Sequence, residues 1–224
     1  MNTLNHIAFI MDGNGRWGLK KKKNRNYGHL KGIETVKKIV EASLKFNIPI
    51  VTFYVFSTEN WKRPKPEINY LFNLIGSYFK KEIHNILEQG IKINILGRIN
   101  SLPINIKKIL KKSIFLTKHN KKIIVNLAIN YGSKNEIIDA IKKIKNQSMK
   151  LNETNINKFL DLKNPFPDIL IRTGGQNRLS NFLLWQIAYS EIFFVKKLWP
   201  DFNLRDLKNI IKKFKKIKRN FGGI

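Results

Sequence analysis

The chain has 224 residues, enough for one domain with a sizeable core. It carries no cysteine, which excludes disulfide scaffolds, thiolate zinc sites and cysteine nucleophiles. Lys and Arg outnumber Asp and Glu by 43 to 15, a net charge of +28, while 42% hydrophobic residues exclude disorder as the main state.

In chain order, Ile7–Met11 reads as a buried strand running into Asp12-Gly-Asn-Gly-Arg-Trp17. His29 to Phe46 predicts a helix with Ile33, Val36, Ile39, Val40 and Leu44 on one face. Ile50 to Phe56 is β-branched and aromatic, as a strand should be, and Pro64 and Pro66 break the chain after it. Glu67 to Glu88 predicts a long helix stopped by Gly90. Strands follow at Ile91–Leu96 and Ile123–Ile129, with a helix from Leu102-Pro103 to about Lys118 between them. Helices are predicted at Lys134–Lys145 and Glu153–Leu160, strands at Asp168–Arg172 and Phe193–Val195, and a closing basic helix at Asn203–Lys218. This βαβα rhythm predicts a single α/β domain over residues 1–224, with a mostly parallel sheet and helices on both faces.

The longest apolar run, Ile48 to Phe56, is strand-sized, and no basic region precedes an apolar stretch at the start. A soluble, cytoplasmic protein is therefore expected. Lys outnumbers Arg by 35 to 8 and is scattered over nearly every helix. That scatter reads as compositional drift more than as the arginine-rich stripe of a nucleic-acid protein. No nucleic-acid partner is expected; a basic nucleic-acid-binding protein stands as the rival, and it predicts salt-sensitive binding. Anionic partners stay favoured, phosphates and the surface of an anionic membrane included.

Arg16, Arg25, Arg63, Arg172 and Arg178 all lie in or beside motif-like segments. Gly13 and Gly15 let the backbone turn tightly after the first strand and expose N–H groups, and a helix start there would bind an anion. Arg16 and Arg25 could add bidentate phosphate contacts. Asp12, at the end of a parallel strand, would be repelled by that phosphate unless a cation lay between, and Mg²⁺ suits the role. Gly13, Gly15 and Gly18 also spell a dinucleotide fingerprint, but the bulky Arg16-Trp17 pair argues against it, and the acid at the end of the second strand, Glu59, lies well beyond the expected offset of about 20 residues. After the second strand, Ser57, Asn60 and Arg63 could bind a polar ligand, or Ser57-Thr-Glu-Asn60 could be a capped turn. Arg172-Thr-Gly-Gly175 with Arg178 and Ser180 predicts a second anion pocket, in which glycine N–H groups and two arginines suit a diphosphate. Glu191, in an apolar stretch, needs a partner that could be a cation. The 67–88 helix is apolar over more than one stripe, through Ile68, Leu71, Phe72, Leu74, Ile75, Tyr78 and Phe79. It is either buried under a subunit interface or the wall of an apolar cavity.

Several motifs together resemble the cis-prenyltransferases over essentially the whole chain. They are His6-x-Ala8-Phe-Ile-Met-Asp-Gly-Asn-Gly-Arg-Trp17, Tyr27-Gly-His29, Phe56-Ser-Thr-Glu-Asn-Trp61 with Arg63-Pro64, Ile129-Asn-Tyr-Gly132, Arg172-Thr-Gly-Gly175, and Arg178-x-Ser-Asn-Phe-Leu-Leu-Trp-Gln186 through Trp199-Pro-Asp-Phe202. The resemblance implies a six-stranded parallel sheet with flanking helices, an apolar tunnel between helices and sheet, and a homodimer. It implies Mg²⁺-dependent, sequential cis-condensation of isopentenyl diphosphate onto farnesyl diphosphate, giving a long Z-polyprenyl diphosphate of undecaprenyl length for cell-wall synthesis. A shorter product and a non-catalytic partner subunit are the alternatives within the family, and Asp12 argues against the second.

Carried over by motif, Asp12 and Asn60 are the catalytic pair, and Asp12 and Glu191 the magnesium ligands. Gly13, Asn14, Gly15, Arg16, Trp17, Arg25 and His29 match the allylic diphosphate site. Ser57, Thr58, Glu59, Trp61 and Arg63 match residues near the reacting centre, and Arg172, Arg178 and Ser180 the isopentenyl diphosphate site. The 67–88 helix matches the tunnel wall. The base that takes the proton is left open among Asn14, His29, Ser57 and the released diphosphate. Two positions depart from the pattern: Gln176 where Glu is frequent, and Asn220 where bacterial members often carry Arg.

Overall fold

The computed structural model describes residues 2–22, 24–163 and 165–219. Six strands form one parallel sheet in the order β3-β4-β2-β1-β5-β6. They are β1 (His6–Ile10), β2 (Ile50–Ser57), β3 (Ile91–Leu96), β4 (Ile123–Tyr131), β5 (Ile169–Arg172) and β6 (Glu191–Phe194). The helices are α1 (Asn14–Lys22), α2 (Arg25–Lys45), α3 (Lys65–Glu88), α4 (Ile104–Thr117), α5 (Ser133–Asn146), α6 (Glu153–Phe159) and α7 (Leu204–Lys216).

The central strand β1 is buried on both faces, which is why it reads as an unbroken apolar run. Ile7 and Phe9 point to one face, packed with Phe53 and with residues of α2, α3, α4 and α7. Phe9 stacks on Phe53 at 5.1 Å, and Trp199 meets both rings edge-on. Ala8 and Ile10 point to the other face, against Leu170, Phe182 and Leu183. A buried polar chain crosses that face. His6 Nε2 contacts Thr52 Oγ1 at 2.7 Å, Asn126 Nδ2 donates to Thr52 Oγ1 at 2.9 Å, and Asn94 Nδ2 donates to Asn126 Oδ1 at 3.2 Å.

The structure departs from the sequence reading at α1, α2 and β6. Helix α1 was not anticipated, and α2 starts at Arg25 rather than His29, with Asn24 Oδ1 capping it by accepting from Asn26 N at 2.8 Å. The sixth strand starts at Glu191, two residues before the expected Phe193. Among the described residues, no helix is long and apolar enough to cross a membrane. Asn220 lies outside the described residues.

Candidate active site

Parallel strands deliver their C-terminal ends to one edge, and here β1, β2 and β5 end together. The cleft they open has a volume of about 690 Å³. Asp12, Gly13, Asn14, Gly15, Arg16, Arg25, His29, Ser57, Glu59, Asn60, Arg63, Arg172, Arg178 and Ser180 all line it.

On the first side, the chain leaves β1 through Gly13, whose φ of +110° suits glycine alone, and enters α1. The first residues of α1, Asn14, Gly15 and Arg16, therefore line the cleft together with Arg25. Glycines make this packing possible. A Cβ at Gly15 would stand 2.7 Å from the Arg25 guanidinium carbon, and one at Gly28 would stand 1.8 Å from Asn14 O. Gly18 likewise serves close contact of α1 with α2, its Cβ position being 2.7 Å from Gly28 N. These are helix-packing glycines, which accounts for the spurious dinucleotide pattern.

A carboxylate that the sequence reading passed over organises the cationic side. Glu67, in the first turn of α3, accepts from Arg25 Nε at 3.2 Å and Nη2 at 3.3 Å, and from Arg63 Nη1 at 3.2 Å. His29 Nε2 lies 3.4 Å from the same carboxylate. Burial pushes the Glu67 carboxyl up, but Arg25, Arg63 and His29 outweigh it and hold the group below its ordinary value. His29 is pulled below its ordinary value by burial and by Arg63, against the opposing pull of Glu67.

On the second side, Arg172 is 3% exposed. Its Nη2 donates to Asp12 Oδ2 at 3.0 Å, and its Nη1 to Ser180 Oγ at 2.8 Å and to Arg178 O. Arg16 Nη2 donates to the other Asp12 oxygen at 3.1 Å. Arg178 Nη1 donates to Gln176 Oε1 at 2.6 Å, so Gln176 holds that arginine through a neutral acceptor. The glycines of this loop do not form the expected cradle. Gly174 N donates to Lys197 O at 2.7 Å and Gly175 N to Val195 O at 3.0 Å, so both donors serve the 195–197 segment. The polar groups this loop leaves lining the cleft include the side chains of Arg172, Arg178 and Ser180.

Four carried-over residues fall outside the cleft lining. Trp17 Nε1 donates to Asp201 Oδ1 at 2.7 Å, and its ring stacks on Tyr27 at 5.6 Å, bracing α1 from behind. Trp61 Nε1 donates to Asn130 Oδ1 at 2.8 Å, and the ring packs on Phe56 and Phe72. Thr58 lies against Gly132, where a Cβ would come within 2.6 Å of Thr58 Oγ1. Glu191 is at the far end of the sheet. It pairs with Ile169, whereas Phe194 pairs with Arg172, and three residues of strand span about 10 Å. Its carboxylate lies 3.8 Å from Arg219 Nε. Asp12 and Glu191 are therefore not joined in one magnesium site within one chain.

Asn60 caps the turn after β2, its Oδ1 accepting from Ser57 N at 3.1 Å, while Glu59 accepts from Asn181 Nδ2 at 2.9 Å. Ser180 and Asn181 both hold left-handed backbone at φ of 49° and 61°. Four buried side-chain atoms among the described residues have no hydrogen-bond partner, and three of them, Asn14 Oδ1, His29 Nε2 and Arg172 Nε, belong to residues lining this cleft. Buried polar atoms left open are costly unless a ligand meets them.

Behind the cleft, apolar space continues between α2, α3 and the sheet. A cavity of about 100 Å³ shares Met11, Asn14, His29, Val55 and Leu71 with the cleft and runs on to Val36, Tyr78, Phe79 and Leu127. A deeper one of about 50 Å³ shares those last four and reaches Ile86, Ile91 and Ile93.

Known proteins are similar to this chain in sequence and fold. A family profile described as "Putative undecaprenyl diphosphate synthase" matches residues 10–222. An isoprenyl transferase of Fusobacterium nucleatum is 42% identical over 224 residues, covering 100% of this chain and 97% of the relative. A ditrans,polycis-undecaprenyl-diphosphate synthase of Micrococcus luteus, specific for (2E,6E)-farnesyl diphosphate, is 42% identical over 98% of this chain and 91% of its own. The crystal structure of lavandulyl diphosphate synthase from Lavandula x intermedia, in complex with dimethylallyl diphosphate, superposes with a TM-score of 0.93 at 28% identity, covering 98% of both chains.

Proposed function

The chain belongs to the undecaprenyl diphosphate synthase family of prenyltransferases, and on that premise we propose that its cleft condenses isopentenyl diphosphate repeatedly onto farnesyl diphosphate with Z geometry. One observation carries the reading: two arginine-bearing loops converge on Asp12 at the sheet edge, and apolar space leads away from them.

The allylic diphosphate takes the α1 side, where helix N–H groups, Arg16 and Arg25 meet its oxygens, and His29 and Asn14 present their open polar atoms. Glu67 keeps Arg25 and Arg63 aimed at the cleft. Isopentenyl diphosphate takes the side of Arg172, Arg178 and Ser180. The allylic C–O bond then breaks, and its electron pair leaves with the diphosphate. The arginines stabilise the charge where it develops. The double bond of isopentenyl diphosphate supplies the electrons for the new carbon–carbon bond, and a C2 proton passes to a base, the released diphosphate being one acceptor at hand, to restore a double bond. Ser57, Glu59, Asn60 and Arg63 line the space between the two heads, and Trp61 and Thr58 brace that wall from behind.

Magnesium fits one carboxylate here. Asp12 is partly exposed in the cleft, and no cluster of three acidic or His groups competes among the described residues. Held by Asp12, such an ion would add positive charge that helps neutralise the diphosphates. Glu191, set apart from Asp12 by the strand register, is not assigned to this site. A homodimer is supported by the β6 edge, which leaves Ile192 and Phe194 exposed.

The growing tail enters the apolar space under α3, where each buried CH₂ gains roughly 0.8 kcal/mol. A long product, a lipid carrier for cell-wall assembly made in the cytoplasm, requires α2 and α3 to part, because the two cavities hold about 100 and 50 Å³ as they stand. That smallness favours, as the second reading, a shorter Z-prenyl product. Incubation with farnesyl diphosphate, labelled isopentenyl diphosphate and Mg²⁺, followed by chain-length analysis, tests both. Long labelled prenols support the first reading and short ones the second; absence of incorporation overturns both.

A further inference from the structure

We propose that the outer face of α4 is a docking surface for an anionic phospholipid bilayer. Ile104, Lys108, Lys111, Phe115 and Lys118 follow one another at helical spacing and share an arc of about 80°. All five are exposed, Ile104 at 64% and Phe115 at 65%. Large apolar side chains held in water among lysines are the pattern of a helix lying in a membrane interface. The charge around them is one-sided. Residues 89–135 carry nine lysines, one arginine and no acid. That complements an anionic lipid surface, and the exposed Phe and Ile supply what a purely electrostatic contact lacks.

The position fits as well. Helix α4 packs on α3 where Gly76 lets Ile106 and Ile109 approach closely. At its other end, Thr117 Oγ1 accepts from Ile93 N at 3.1 Å, and Asn120 Nδ2 donates to Ile91 O at 2.8 Å. Ile91 and Ile93 line the deeper apolar cavity. Phe115 and Lys118 therefore sit beside the distal end of the space assigned to the tail, so docking there would bring that end near lipid. The inference rests on the reading that the product is a membrane lipid.

The test is co-sedimentation with vesicles of equal parts phosphatidylglycerol and phosphatidylcholine, against vesicles of phosphatidylcholine alone. The full chain is expected to bind the anionic vesicles and not the neutral ones. Ile104→Ser with Phe115→Ser, and separately Lys108→Gln, Lys111→Gln and Lys118→Gln, should each weaken binding at least about tenfold. Lys208→Gln, Lys212→Gln and Lys216→Gln remove equal charge from exposed positions of α7 and should leave it nearly unchanged. Equal losses from the α4 and α7 charge sets, or no vesicle binding, overturn the proposal. So does a changed oligomeric state in the Ile104→Ser, Phe115→Ser variant, which would make a second copy the occupant. Turnover of both α4 variants in detergent should match the unaltered protein. A protein that docks through α4 but forms no prenyl product would defeat the functional reading and leave the surface standing.

Discussion

Arg172 Nη2 donates to Asp12 Oδ2 at 3.0 Å and so ties the end of β5 to the end of β1 across 160 residues of chain. Arg172 is nearly inaccessible, whereas the Asp12 side chain is 28% exposed. The carboxylate therefore neutralises a buried guanidinium while still facing the cleft. A residue that sequence alone presents as a metal and substrate group is also part of the scaffold. Its removal has two separable consequences.

Asp12→Asn keeps an acceptor for Arg172 and loses the charge. Turnover should fall about 10²–10³-fold, as for loss of one preorganised electrostatic group, with a smaller loss of stability than in the Ala variant because an acceptor for Arg172 is kept. Asp12→Ala should match that loss and in addition cost about 1–3 kcal/mol of stability, because the buried guanidinium loses a partner. Steady-state kinetics and denaturant unfolding of both variants check this. Near-normal turnover in the Asn variant would remove Asp12 from the reaction.

Glu67→Gln tests the clamp on the cationic side. Arg25 and Arg63 lose their shared anion, so KM for farnesyl diphosphate should rise more than kcat falls. The His29 imidazole should titrate at still lower pH, since Glu67 is what pulls it upward. The stability effect has a defined sign. The folded-state pKa of Glu67 lies below its unfolded value, so its contribution is present above the unfolded pKa and fades as pH falls through the folded one. The difference in melting temperature between the two proteins should therefore shrink on acidification below pH ~4.5. A constant difference would place the effect elsewhere.

His6 predicts acid sensitivity away from the cleft. Its Nδ1 faces Pro165 O at 2.9 Å, a group that only accepts, so Nδ1 carries the proton and Nε2 takes the Thr52 hydroxyl at 2.7 Å. Burial pushes the imidazole down to about 4, against the upward pull of Pro165 O and Asp168. The unfolded chain thus binds a proton that the folded one refuses between pH ~6.5 and pH ~4, and stability falls as pH falls through that window. The loss should approach about 3 kcal/mol at its lower end, from 1.36 kcal/mol per pH unit. Urea unfolding at pH 7 and pH 4.5, with His6→Gln alongside, measures it; an equal pH response in the Gln variant would refute the assignment.

These residues show where the sequence was readable. Strands β1, β2 and β4 are buried on both faces, so their apolar runs carry the whole signal. Helix α1 has two glycines and three terminal lysines in nine residues, with no apolar period, so only its tertiary packing on α2 reveals it. Glu67 was hidden because an acid in a first turn is explained by the helix dipole alone. Gly174 and Gly175 were misjudged because composition cannot say which carbonyls their N–H groups will meet. Glu191 and Asp12 looked like partners in the family pattern, but strand register separates them.

Val36 offers the decisive test of where the hydrocarbon goes. It lies on α2 and lines both the 100 Å³ cavity behind the cleft and the 50 Å³ cavity beyond it. It is not among the residues that line the cleft. Val36→Trp should fill the passage between the two cavities at a cost of about 1–3 kcal/mol from overpacking. The first condensation, which needs only the cleft, should run close to its normal rate. Later additions should stop sooner, because the tail has lost the space that stabilised it. Reverse-phase separation of the labelled prenols should show the product distribution shifted toward shorter chains. An unchanged distribution, with the variant folded and active, would show that the tail leaves the cleft by another route and that α2 and α3 do not enclose it.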